Sequence, residues 1–214
     1  MLNRLYNALW YPALPFALIA AGGADAQNRR ERLGHVAPLT QAGSPRIWMH
    51  AASVGEIEAI RPVALGLLRE HPDAALVVTT MTAAGRDAAR ARIAGIAAAT
   101  LAPLDCAHTV NAFLGAVRPE LVIVAETELW PNYFVESRRF GARVAIINGR
   151  ISGRSVRRYF MARSLFTAAL ECADLILAQS EADAQRYAIL GAPHERIAVT
   201  GNTKFEVDLD GAQP

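Results

Sequence analysis

The sequence predicts an α/β fold, a doubly wound, Rossmann-like parallel sheet. Three observations lead there: short runs that are apolar at nearly every position, stretches of helical spacing between them, and a composition that is 52% hydrophobic and 20% charged. A strand apolar on both faces is buried on both faces, and helices lying over the two sides of a parallel sheet are what bury it. The 214 residues suffice for one packed domain of this kind. The expected strands are 47–49, 75–80, 97–102, 121–125, 144–147, 175–178 and 197–199, within a domain spanning 46–207.

The chain opens differently. Residues 5–21 are almost entirely apolar, with Tyr6, Trp10 and Tyr11 as aromatic anchors and Arg29, Arg30 and Arg32 shortly behind. Residues 1–22 therefore read as an N-terminal membrane anchor segment and 23–45 as a basic linker. A spanning helix needs about 20 apolar residues, and this run is slightly too short and is interrupted by Pro12 and Pro15. The expectation is a segment embedded in, or marginally crossing, the cytoplasmic leaflet, with the arginines facing anionic headgroups. A signal peptide cut among the small residues 21–26 is the competing reading; the exported product would then start on the arginine-rich stretch for no evident reason.

After the first strand comes His50-Ala51-Ala52-Ser53-Val54-Gly55-Glu56, then an amphipathic stretch over 57–68. Pro62 falls inside that stretch, so the helix either kinks there or begins nearer to it, leaving Glu56 on a loop above. Farther on, Val110, Phe113, Leu114 and Val117 recur at helical spacing. Ser180 with Asp183 resembles a capping box in front of a helix over 184–190, and Gly191 with Pro193 supplies the stop. Residues 208–214 have the composition of a frayed tail. Its Asp208-Leu209-Asp210 lies beyond the last strand, with nothing after it to build a pocket.

Bulk properties exclude several classes. A net charge of +2 and a pI near 8.7, without a basic run interleaved by aromatics, imply no nucleic-acid partner. Cys106 and Cys172 have no CxxC spacing, which suits a reducing compartment and core packing. The five histidines show no i, i+4 pairing, so no metal site is expected. No Gly-x-Gly-x-x-Gly follows the first strand and no Walker loop or Gly-x-Ser-x-Gly occurs, so no dinucleotide cofactor, ATP or hydrolase elbow is expected. No cofactor of any kind is called for.

In an open α/β sheet, ligands bind in the crevice outside the carboxyl ends of the strands. The segments expected there carry Ser53, Gly55 and Glu56; Thr80 and Thr82; Asp105; Glu126; Arg150 and Ser152; and Lys204. Gly55 suits a turn with unusual dihedrals and close approach of a substrate. Ser53 either caps the turn or meets a ligand. Arg150 and Lys204 suit phosphate or carboxylate, the hydroxyls of Thr80, Thr82 and Ser152 suit sugar or phosphate oxygens, and Glu56 and Glu126 supply carboxylates. A structural reading stands beside each: an acidic residue in a first helical turn is stabilised by the helix dipole, and Glu126 is equally suited to pinning a neighbouring loop.

The order of His50-Ala-Ala-Ser-Val-Gly-Glu56, Thr79-Thr-Met-Thr82, Glu126-Thr-Glu-Leu-Trp-Pro-Asn132, Asn148-Gly-Arg-Ile-Ser152, Ala178-Gln-Ser180 and Gly201-Asn-Thr-Lys-Phe205 resembles the 3-deoxy-D-manno-octulosonic acid (Kdo) transferases of lipopolysaccharide synthesis, over nearly the whole chain. The resemblance implies the N-terminal, acceptor-binding domain of a GT-B glycosyltransferase. It also implies metal-independent, inverting transfer of Kdo from CMP-Kdo to the lipid A precursor at the cytoplasmic face of the inner membrane, with Glu56 as the general base. The pattern departs at Leu104, where the family usually carries an aromatic residue before the Asp of Pro-x-Asp; this leaves the role of Asp105 open. The donor-binding half is expected to lie beyond this chain, which alone should bind acceptor without turnover. The rival readings are another GT-B glycosyltransferase using a nucleotide-diphosphate sugar, and a non-catalytic membrane module that binds phosphoglycolipid.

Overall fold

A computed structural model of the chain describes residues 2–22, 25–39 and 43–203. The elements in order are α1 (Leu2–Gly22), α2 (Ala26–Arg32), β1 (Arg46–His50), α3 (Val54–Glu70), β2 (Ala75–Thr80), α4 (Ala83–Arg92), β3 (Ala98–Leu101), α5 (Ala107–Val117), β4 (Leu121–Ala125), α6 (Pro131–Phe140), β5 (Arg143–Gly149), α7 (Gly153–Met161), α8 (Arg163–Leu170), β6 (Leu175–Ala178), α9 (Glu181–Ile189) and β7 (Ile197–Val199). The seven strands among the described residues pair in parallel in the order β3-β2-β1-β4-β5-β6-β7. The doubly wound sheet expected from the apolar runs is therefore present. Its strand order reverses between β1 and β4, the topological switch point where such sheets open a crevice.

Strand alternation divides the core into two layers. Trp48 of β1 points to one side, packing on Phe113 at 4.7 Å and Tyr133 at 5.0 Å between ring centroids. Its neighbours Ile47 and Met49 point to the other, against Ile57, Ile60 and Leu76. Each large side chain so buried contributes roughly 1.5–3 kcal/mol. Cys106 is buried and Cys172 half-buried, both as free thiols.

Pro62 lies inside α3, which starts at Val54 and runs on to Glu70. The start is set by Ser53, whose side chain accepts the Glu56 N–H; a capped first turn pins the helix eight residues before the proline. Glu56 therefore sits in the helix, not on a loop above it. Likewise α1 continues through Pro12 and Pro15.

α1 is held by polar groups on one face. The Tyr6 hydroxyl donates to Asp105 Oδ2 at 2.7 Å, Asn7 Nδ2 donates to Asn132 Oδ1 at 3.1 Å, and Asn7 Oδ1 accepts the Ala107 N–H at 2.9 Å. Asp105 also accepts the Asn132 N–H at 2.9 Å, which tells what this aspartate does: it joins α1 to the start of α6. The opposite face of α1 is apolar and uncovered, with Leu5, Leu9, Phe16 and Ile19 each more than 60% exposed. No helix among the described residues is long and apolar enough to cross a membrane.

Residues 26–32, expected as part of a linker, form α2, and its last two residues are buried. Glu31 accepts Arg86 Nη1 and the Leu101 N–H, both at 2.7 Å. Arg32 is only 1% exposed; its guanidinium donates to the carbonyls of Ala102, at 2.9 Å, and Met81. The expectation that Arg32 faces headgroups is thus overturned, because free carbonyls at the sheet edge satisfy it internally. Arg29 and Arg30 are exposed. Gly34, just beyond, has φ +80 and would place a Cβ 2.0 Å from the Thr109 carbonyl oxygen, so no other residue fits there.

Candidate functional site

The site grows from the ends of the two strands at the switch point. β1 ends at His50, and after a two-residue turn Ser53 caps α3. Ser53 Oγ accepts the Glu56 N–H at 3.3 Å, while the Glu56 carboxylate reaches back to accept the Ala52 N–H at 2.8 Å and the Ser53 hydroxyl at 3.2 Å. Ser53 and Glu56 thus bond each other reciprocally, a variant of the capping box in which the carboxylate reaches the N–H one residue before the cap, so the structural reading of Glu56 holds. The cap locks the side chain in one orientation, half-buried at the crevice mouth.

Electrostatics at Glu56 run against ionisation. Burial raises its pKa to about 7, the charges of Glu128 and Glu126 push the same way, and the Ala52 N–H and Ser53 hydroxyl oppose them. Desolvation and like charge therefore outweigh the start of the helix, a balance that the sequence left undecided. A carboxylate poised near neutrality is what a general base for an alcohol requires.

The two glutamates beyond β4 diverge. Glu126 has φ +52 and turns toward β5, its Oε1 accepting Asn148 Nδ2 at 3.4 Å and its carbonyl accepting the Tyr187 hydroxyl at 3.1 Å. Those contacts make it a pin between the β4 and β5 loops. Glu128 turns toward β1. Its Oε2 accepts the Trp130 indole N–H at 2.6 Å and lies 3.7 Å from His50 Nε2. Burial works against ionisation of Glu128, but His50 and Trp130 prevail and hold it below the ordinary carboxylate range.

Glu128 and His50 are the residues that sequence reasoning passed over. The signal was present in Glu126-Thr127-Glu128, two carboxylates two positions apart at a strand end. Which of them faces β1 depends on the left-handed turn at Glu126.

The remaining expected residues separate into rim and scaffold. Thr82 and Ser152 cap α4 and α7, accepting Gly85 N–H at 3.0 Å and Ser155 N–H at 3.1 Å, and both are exposed at the rim. Thr80 is wholly buried and donates to the Thr82 carbonyl at 2.8 Å; its hydroxyl braces the loop and does not face the crevice. Gly55 has no positive φ, and a Cβ there would meet only Ser53 Oγ, at 3.9 Å. The unusual dihedral expected of Gly55 is absent, since it lies in the first helical turn, and open space lies above it. Arg150 is exposed beyond β5 and, among the described residues, makes no ion pair with Glu56 or Glu126. Glu56 is oriented by the Ala52 N–H and the Ser53 hydroxyl. Lys204 and the tail 208–214 lie outside the described residues.

Beside the carboxylates, a cavity of about 240 Å³ is lined by Tyr6, Glu128, Trp130, Tyr159 and Phe166. A larger one, about 830 Å³, lies along the edge strand β3 between Arg30, Arg90 and Thr100; it contains none of these carboxylates. Among the described residues no group of three His, Cys, Asp or Glu side chains is placed to hold a metal ion.

Comparison with known proteins agrees with the rim motifs. The family model described as 3-deoxy-D-manno-octulosonic-acid transferase (kdotransferase) matches residues 27–207. A 3-deoxy-D-manno-octulosonic acid transferase of Haemophilus influenzae is 33% identical over 98% of this chain and 51% of its own length. One from Chlamydia trachomatis is 30% identical over 96% and 49%. The chain spans about half the length of these curated relatives. Among solved structures, the UDP-GlcNAc 2-epimerase from Neisseria meningitidis bound to UDP-GlcNAc aligns with a TM-score of 0.57 over 78% of this chain and 50% of that one, at 12% identity. That is a likeness of fold alone.

Proposed function

The chain belongs to the 3-deoxy-D-manno-octulosonic-acid transferase family, and from that premise we propose that it is the acceptor-binding half of a GT-B enzyme moving Kdo from CMP-Kdo to the lipid A precursor lipid IVA in lipopolysaccharide synthesis. The observation that carries the reading is Glu56, oriented by its own capping box at the switch point and raised to about 7. A sugar hydroxyl of the acceptor attacks the anomeric carbon of Kdo as the bond to the CMP phosphate oxygen breaks, and Glu56 takes the hydroxyl proton. CMP leaves with the electron pair of the broken bond. The reaction is metal-independent and inverting, as the family resemblance implies.

Exposed Ser53, Thr82 and Ser152 hydroxyls and the Arg150 guanidinium form the acceptor side, Arg150 taking a headgroup phosphate. Lys204 joins them in this proposal. The donor is held by a second α/β half outside this chain, so the chain alone binds acceptor and does not turn over.

The enzyme works at the cytoplasmic face of the inner membrane, with α1 lying in the interface and not crossing it. The exposed apolar face of α1 supports this, since an amphipathic helix buries such a face at the headgroup boundary. α8 contacts both α1 and α7, and α7 exposes Phe160 and Met161 beside Arg154 and Arg157, a second apolar and basic face. Holding the domain at the bilayer raises the effective concentration of a lipid acceptor without new contacts.

The test is transfer by the full-length protein supplied with CMP-Kdo and lipid IVA, read by mass spectrometry. Glu56→Ala should abolish transfer while acceptor binding persists; equal activity in the variant removes Glu56 as the base.

A further inference from the structure

His50 is wholly buried at the end of β1. Its Nδ1 lies 2.9 Å from Thr79 Oγ1, and that oxygen already accepts the Trp48 indole N–H at 2.7 Å. Indole nitrogen only donates, so the single Thr79 proton is left to be placed, and Nδ1 is the acceptor within reach. The ring proton then resides on Nε2. Among the described residues Nε2 has no hydrogen-bond partner, and a buried donor left unmade is costly. The acceptor nearest Nε2 is Glu128, whose Oε2 stands 3.7 Å away and is held by the Trp130 indole N–H at 2.6 Å. The Tyr133 ring meets the imidazole edge-on at 5.3 Å, which keeps the ring from turning.

We propose that His50 is a positioning residue: its Nε2–H, aimed by Thr79 and Trp48, holds Glu128 as an ionised carboxylate on the Glu56 side of the loop between β4 and α6. The proposal rests on the reading of Glu56 as the base and deepens it. An ionised Glu128 resists a second negative charge at Glu56 and so keeps that group a stronger base. Other ionisable groups that face this cluster include Tyr6 from α1, which lines the same cavity as Glu128, Glu126 from the β4 loop, Tyr133 from α6 and Tyr159 from α7. Burial raises all three tyrosines, and the Glu128 charge raises Tyr133 and Tyr159 further, so they stay neutral at physiological pH.

The test uses the 214-residue chain with glutamate carboxyl carbons labelled by ¹³C, the Glu56 resonance being assigned through Glu56→Gln. Its midpoint, about 7 in the unaltered chain, should fall by about one pH unit in Glu128→Gln and by a similar amount in His50→Asn. The double variant should shift no further than either alone, because the two residues act as one unit. His50→Gln, whose amide nitrogen reaches the Nε2 position, should restore the midpoint of the unaltered chain. A Glu56 midpoint indifferent to His50→Asn, in a variant whose circular dichroism is native, overturns the proposal. Should His50→Asn fail to fold, the imidazole ¹⁵N shifts of the unaltered chain decide the matter: a proton on Nε2 sustains the proposal, and a proton on Nδ1 ends it. Both measurements are made without turnover. A failure here is therefore distinct from loss of the Glu56 reading, which the Glu56→Ala transfer assay decides.

Discussion

Replacing Tyr6 with phenylalanine removes one hydroxyl and leaves the rest of α1 unchanged. That hydroxyl donates at 2.7 Å to Asp105 Oδ2, and Asp105 is 2% exposed. A buried acceptor stripped of its partner costs about 1–3 kcal/mol. In a domain of this size each kcal/mol lowers Tm by roughly 2–4 °C, so the variant should melt about 2–12 °C lower. The cost depends on pH. Burial lifts the Asp105 pKa from an ordinary 3.8 to about 8, against the pull of the Tyr6, Asn132 and Tyr133 hydrogen bonds. A carboxyl raised in the folded state stabilises most below its unfolded pKa, and the contribution is lost as pH rises toward about 8. Removing the Tyr6 hydrogen bond raises Asp105 further, so the penalty should be larger at pH 9 than at pH 6. Calorimetry of the chain at both pH values measures this, with Tyr11→Phe as control because Tyr11 is 73% exposed. Equal melting of Tyr6→Phe and the unaltered chain at both pH values would refute the claim that this bond latches α1.

Further outcomes are expected of other residues. Glu56→Gln keeps one side-chain oxygen for the Ala52 N–H and gives up the second, which accepts the Ser53 hydroxyl; thermal denaturation should show only a small loss while transfer by the full-length protein falls about 10²–10⁴-fold. Because the base must be deprotonated to accept a proton, kcat/KM should rise with pH through about 7. In Glu126→Gln that acidic limb should move lower, since one of the charges opposing Glu56 is gone. Arg32→Met leaves the Ala102 and Met81 carbonyls without their donor and should cost about 2–5 kcal/mol in urea unfolding. Leu9→Asp with Phe16→Asp should weaken co-sedimentation with anionic phospholipid vesicles at an unchanged Tm, since both side chains are more than 60% exposed; undiminished binding would remove α1 as the membrane contact.

Much of the rim was legible from local chemistry. Ser53 and Ser180, read as capping residues, do cap helices, and Thr82 and Ser152, read only as ligand hydroxyls, cap theirs as well, because capping depends on residues three positions apart. What escaped was direction. Thr80 and Thr82 look alike in sequence, yet one is wholly buried and the other exposed, since Thr80 is the last residue of β2, a strand buried on both faces, while Thr82 lies beyond it as the cap of α4. Arg32 was counted with Arg29 and Arg30 as surface charge, and only the carbonyls of Met81 and Ala102, far along the chain, draw it inward.

The sequence by itself determined the strands, their alternation with helices, the place of Glu56 where β1 gives way to a helix, and the family resemblance. These follow from patterns within a dozen residues, where periodicity and capping act. Only the tertiary structure decided that β1 and β4 lie side by side, that Glu128 and not Glu126 turns toward His50, and that the polar face of α1 is bound to Asp105 and Asn132. The physical reason is that each depends on burial and pairing between segments distant in the chain. Desolvation, which sets the proton affinity of Glu56, exists only once those segments have closed over it.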